Sequence, residues 1–218
     1  NGLISAATSL SLQAGAGSLD NSNGRLLAGT KLNASATSIQ NHLGLIASND
    51  DLIVQADNSG NGGVQGQLDN RSGQLRSVAG AITVQSGDFL NQYVSGQKAQ
   101  IKAAKDININ AKGLINNNAS EISSEHHLAT DESGAVDNSN ATLVGLDSLV
   151  LNANDVRSSK GLIASNGMLT LNAGAGAIDN SQGNISAGSV LDMRSAGALN
   201  NQSGKIQTAA DLSVQVAN

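Results

Sequence analysis

Leu19-Asp-Asn-Ser-Asn-Gly24 is restated as Ile39-Gln-Asn-His-Leu-Gly44, Leu68-Asp-Asn-Arg-Ser-Gly73, Ile178-Asp-Asn-Ser-Gln-Gly183 and Leu199-Asn-Asn-Gln-Ser-Gly204. A phrase that returns at a near-constant interval marks a solenoid, in which each repeat buries its apolar face against the next. The phrase begins at Leu19, Ile39, Leu68, Phe89, Leu114, Val136, Val156, Ile178 and Leu199, spaced 20 to 22 residues apart except after Ile39 and Phe89. Nine full units follow a partial one.

Short alternating apolar runs follow the phrase, as in Met168-Leu-Thr-Leu-Asn-Ala173 or Leu191-Asp-Met193. A period of two in runs this short means strands. A unit of about 20 residues is too short for a strand-helix-strand crossover but holds three short strands and three turns. The expected fold is therefore all-β, a parallel β-helix of about ten coils, right-handed because parallel crossovers are. Residues 1–218 read as a single repeat domain. In the Leu19 unit the inward positions are expected to be Leu26, Ala28, Leu32, Ala34, Ala36, Ile39 and Asn41, with Leu27, Gly29, Lys31, Asn33 and Ser35 outward.

The third position of the phrase is Asn21, Asn41, Asn70, Asn91, Asn116, Asn138, Ser158, Asn180 and Asn201. Stacked at this position, the asparagines are expected to form a structural ladder of side-chain amides bridging successive coils. The sixth position is Gly24, Gly44, Gly73, Gly161, Gly183 and Gly204, read as turn glycines that supply φ > 0 at a corner. The units from Phe89 and Leu114 depart most, with Val94 and Ala119 in place of that glycine. Proline is absent, as expected where nearly every backbone N–H donates to the next coil.

Charged residues are 13% of the chain and the net charge is -5, so solubility rests on Asn, Ser, Gln, Thr and Gly. A ladder of like charges about 4.8 Å apart would repel, whereas amides hydrogen-bond along the stack. With no basic stripe and only Phe89 and Tyr93 as aromatics, nucleic acid is not an expected partner. There is no cysteine, which excludes disulfides and thiolate metal sites. The chain opens Asn1-Gly-Leu-Ile4 inside a repeat, so an excerpt of a longer chain is expected.

Three segments break the rhythm and are expected as surface insertions: 57–67, 96–106 with Lys98, Lys102 and Lys105, and 123–133 with Glu125, His126 and His127. Glu125, His126, His127, Asp131 and Glu132 are the chain's nearest approach to a metal cluster, but adjacent histidines on a strand face opposite ways. No metal site and no cofactor are expected. Asp57-Asn-Ser-Gly-Asn-Gly62 half matches a calcium loop, yet its twelfth position is Leu68 rather than glutamate. The three lysines are read as the polar outer face of a coil, partly neutralised by Asp106. Acids are scattered, and Asp20, Asp69, Asp137 and Asp179 are the repeat's own second residue, so no catalytic constellation is expected.

Leu68-Asp-Asn-Arg-Ser-Gly73, and Asn180-Ser-Gln-Gly-Asn-Ile-Ser-Ala187 with Leu191-Asp-Met193 behind it, resemble the haemagglutinin-type repeats of filamentous haemagglutinin and of contact-dependent growth inhibition exoproteins. The resemblance implies a non-enzymatic stalk segment of a very large bacterial exoprotein, exported by two-partner secretion and displayed at the cell surface. It implies an outer-membrane transporter as partner of the parent protein, and a surface receptor on a host cell or target bacterium. The alternative from another class is a polysaccharide-acting β-helix enzyme or carbohydrate-binding module.

Overall fold

The computed structural model describes residues 2–56 and 66–217. Every strand in it lies in one of three parallel sheets. The first sheet has ten strands, from Leu3–Ala6 to Lys205–Thr208, and the second has ten, from Leu10–Gln13 to Leu212–Val216. The third has nine, from Ser18–Asp20 to Leu199–Asn200. Each strand hydrogen-bonds to its counterpart one coil away, which makes a β-solenoid of about ten turns with no helix among the described residues.

Alternation of apolar and polar residues fixes the register, because a slip by one residue would turn every core side chain outward. In the first sheet Leu26, Ile46, Leu75, Ile101, Ile122, Leu143, Ile163 and Ile185 form one buried row in register. The third sheet contributes Ile39, Leu68, Phe89, Ile115, Val136, Val156 and Ile178, all at most 1% exposed. In the Leu19 unit all seven positions expected to face inward are buried, and the five expected to face outward are half-buried or exposed. The core is thus a stack of similar layers, and each layer is closed only by its neighbours.

The irregular segments differ from the sequence expectation. Most of 57–67 lies outside the described residues, and Gln67 already opens the strand Gln67–Asp69. Of 96–106, only the part up to Ala99 is irregular, in a non-strand stretch that begins at Asn91. Gln100–Ala103 is a regular strand, because Ile101 and Ala103 continue the buried row. Nor is 123–133 a loop. Ser123 and Ser124 end the strand Glu121–Ser124, and His127–Ser133 is a strand of the second sheet. Its extra residue becomes a bulge between Thr130 and Ser133, opposite Leu151 and Ala153.

Candidate functional site

The most elaborate constellation of side chains is the corner between the third and first sheets, where the repeated phrase sits. Its asparagines join coil to coil, and all but the half-buried Asn201 are buried. Asn21 Nδ2 donates to Asn41 Oδ1 at 2.7 Å, Asn41 to Asn70 at 2.6 Å, Asn70 to Asn91 at 2.6 Å and Asn91 to Asn117 at 2.7 Å. The chain continues from Asn117 to Asn138 at 2.9 Å and resumes from Asn180 to Asn201 at 2.7 Å. A second bond from Nδ2 reaches a backbone carbonyl of the first sheet, such as Leu45 O at 3.1 Å or Leu162 O at 2.9 Å. One carboxamide therefore satisfies its neighbour above and the turn beside it.

Asn116 is not in the ladder; Asn117 is. The run Leu114-Ile-Asn-Asn permits two alignments, and burial of Ile115 rather than Leu114 decides between them. Asn116 instead holds the second position of the phrase, where its Oδ1 accepts from Asn118 N–H at 3.1 Å. Asp20, Asp69, Asp137 and Asp179 make the same bond two residues ahead, at 2.8 to 3.0 Å. This row is a set of Asx turns that bend the chain into the corner, a role the residue type and the two-residue spacing could have suggested. Asp69 is additionally gripped by the Arg71 guanidinium at 2.5 Å. Burial pushes its carboxyl up, but the side-chain and backbone bonds from Arg71 and that residue's charge prevail and hold it below the usual value.

The sixth-position glycines serve a purpose other than the one expected. Positive φ falls on the residue before them, at Asn23, Leu43, Ser72, Lys160, Gln182 and Ser203, with values of 52 to 56°. Glycine follows because the backbone of the preceding coil passes too close for a side chain: a Cβ on Gly44 would lie 2.3 Å from Asn21 O and 2.4 Å from Asn41 Oδ1. Where Ser120 and Ala141 stand instead, the turn bond back to the asparagine carbonyl lengthens to 3.1 and 3.2 Å, against 2.9 to 3.0 Å at the glycines.

The remaining candidates are scattered. His126 Nδ1 lies 3.0 Å from Asp147 Oδ2, and His127 Nδ1 lies 2.7 Å from Ser148 Oγ, so each exposed ring takes a partner from the next coil. Among the described residues no three His, Cys, Asp or Glu side chains assemble in a way that could hold a metal ion. Lys98 lies in the irregular stretch, Lys105 at the corner between the first and second sheets, and Lys102 on the outer face of the first sheet. Lys102 pairs with Glu121 at 3.0 Å, while Asp106 accepts from His127 N–H at 3.2 Å. The half calcium loop at 57–62 lies outside the described residues. Among those residues, the acids of the repeated phrase accept hydrogen bonds within their own turns, an arrangement suited to holding a corner.

Compared with known proteins, the chain matches the model of the haemagglutinin repeat twice, over residues 1–78 and 59–140. No curated protein and no solved structure matches it.

Proposed function

The chain belongs to the haemagglutinin-repeat family, found in secreted or surface-exposed exoproteins, and we propose that it is a stalk segment of a very large bacterial surface exoprotein that mediates cell contact. The observation that carries this reading is the consumption of the repeated phrase by the corner itself: asparagine and glycine serve the stacking of coil on coil, and aspartate bends each coil into its corner. Stacking sets length, and ten coils at about 4.8 Å each extend a terminal module by roughly 45 to 50 Å. The parent function we infer is that of an adhesin or of a carrier for a contact-dependent growth inhibition toxin, exported through a two-partner secretion transporter.

The test is replacement in the parent exoprotein. In-frame deletion of residues 1–218 should weaken cell contact while leaving secretion intact, and an unrelated β-helix with the same number of coils should restore it. Failure of that replacement would mean that contact depends on this segment's own surface, and the stalk reading would fall.

A further inference from the structure

The geometry points to a binding site for a short acidic saccharide on the outer face of the first sheet, where Arg76 and Lys102 stand side by side on successive coils. These two are register partners, the one pair of cations so placed in the strand pairings of the described residues. Like charges directly opposite across a sheet are destabilising. Elsewhere the sequence avoids this: Arg157 pairs in register with Asp137 and Asp179, and Arg194 bonds Asp192 at 2.9 Å. Lys102 is held by Glu121, whose Oε1 also accepts from Ser123 Oγ at 3.1 Å and whose Oε2 accepts from Gln100 Nε2 at 3.2 Å. Arg76 makes no ion pair among the described residues, so its guanidinium is left for a ligand.

The two cations line a cleft of about 520 Å³, the floor of which drops where Ser123 follows Lys102 in the same row. Gln74 and Glu125 add acceptors and donors at its edges, and Val78 and Leu146 supply apolar wall, 51% and 38% exposed. The irregular stretch before Gln100 adjoins the cleft at Gln74. Val94 N–H and Ser95 N–H each donate to Ser72 Oγ at 3.1 Å, and Gln97 meets Gln74 through their side-chain amides at 3.5 Å. A short chain of sugar acids matches this set: one carboxylate takes the planar fork of Arg76 with Lys102 behind it, the hydroxyls meet the amides, Ser123 and Glu125, and the rings of different units lie on Val78 and Leu146, three coils or about 14 Å apart. A polyanionic peptide matches less well, because it brings neither hydroxyls for the amides and Ser123 nor ring carbons for Val78 and Leu146. The site does not depend on the stalk reading.

The experiment uses the 218-residue protein titrated with trigalacturonate, a neutral trisaccharide and triglutamate, followed by backbone amide chemical shifts. Trigalacturonate should move the signals of residues 74–78, 100–104, 121–125 and 142–146 with little change elsewhere, and the other two probes should not. Arg76→Gln should weaken that binding at least about tenfold. Ser123→Glu, which keeps both cations but puts a carboxylate on the cleft floor, should weaken it as well. Lys205→Gln, near the end of the solenoid, should leave it unchanged, and the melting curves of the three variants report that each remains folded. No response to trigalacturonate, shifts outside those strands, an equal response to either control probe, or unchanged affinity in both cleft variants would overturn the proposal.

Discussion

At the scale of a residue, the buried corner needs a group that accepts from below, donates above and donates again sideways in one plane, and only a carboxamide does all three at this size. Replacing Asn70 by Asp keeps the acceptor for Asn41 Nδ2 but turns the donor toward Asn91 Oδ1 and Gly73 O into a carboxylate oxygen. Asn70→Asp should therefore cost about 3 kcal/mol, whereas Asn108→Asp, on the exposed face, should stay within about 0.5 kcal/mol. Denaturation midpoints that move equally would show that the ladder carries no special weight. The same logic identifies the weak link. Asn138 Nδ2 reaches Ser158 Oγ at 3.2 Å, but Asn180 Oδ1 beyond it is buried without a donor. Ser158→Asn should complete the ladder and raise stability by about 1 kcal/mol; an unchanged or lower urea midpoint would contradict it. The asparagine row was legible in the sequence because its period survives every insertion, and it was misread only at Asn116, where two adjacent asparagines let the pattern slide. What glycine does at the sixth position was not legible, since a close approach from the preceding coil leaves no mark in the glycine's own unit.

At the scale of an element, the bulge and the Asx corner each test how far a strand depends on one polar atom. Thr130 occupies an inward position that is Val84, Ile109 and Leu151 in neighbouring coils, and it is equally buried. Its hydroxyl donates to Asn152 O at 3.2 Å and accepts from Asn152 N–H at 3.1 Å, bonds that the bulge withdraws from the ladder. Thr130→Val, apolar and of the same shape, should thus destabilise by about 1 to 3 kcal/mol, the reverse of what the hydrophobic pattern alone would suggest. The aspartate of the corner gives a pH signature. Because Asp69 is held below its unfolded value of about 3.9, its stabilisation is fully present above that pH and is lost as pH falls through the lower folded value. The gap in melting temperature between the wild-type protein and Asp69→Asn should accordingly be widest near neutrality and shrink below about pH 4. A gap independent of pH would remove Arg71 from the account. Strand positions were readable from alternation, but the segment at 123–133 was not, because one added residue in a strand and a surface loop look alike until the flanking Leu128 and Ser133 are seen buried.

At the scale of the whole molecule, a solenoid has no centre, and its stability is a sum over neighbouring coils rather than the property of one core. Strands Glu121–Ser124, Thr142–Gly145 and Leu162–Ser165 are successive and in register, as are Val136, Val156 and Ile178 in the third sheet. Removing residues 142–161 would join Ala141 to Leu162 and bring Leu162 beside Glu121, Leu169 beside Leu128 and Ile178 beside Val136. The buried rows of Ile122, Leu128 and Val136 would be continued by Ile163, Leu169 and Ile178, while Thr130 would face Leu171 as it now faces Leu151. It would also take away Ser158, so that Asn138 Nδ2 would meet Asn180 Oδ1, the acceptor now left without a donor. The shortened protein should fold cooperatively, remain wholly β by far-ultraviolet dichroism and be shorter by one rise, about 4.8 Å, a change that small-angle scattering would read from its longest dimension. Removing half of that coil, residues 152–161, should instead unfold the molecule, because it deletes the strand Val156–Arg157 and breaks the third sheet's stack. Survival of the half-coil deletion, or collapse of the full one, would mean that distant coils support each other in a way nearest-neighbour stacking does not provide.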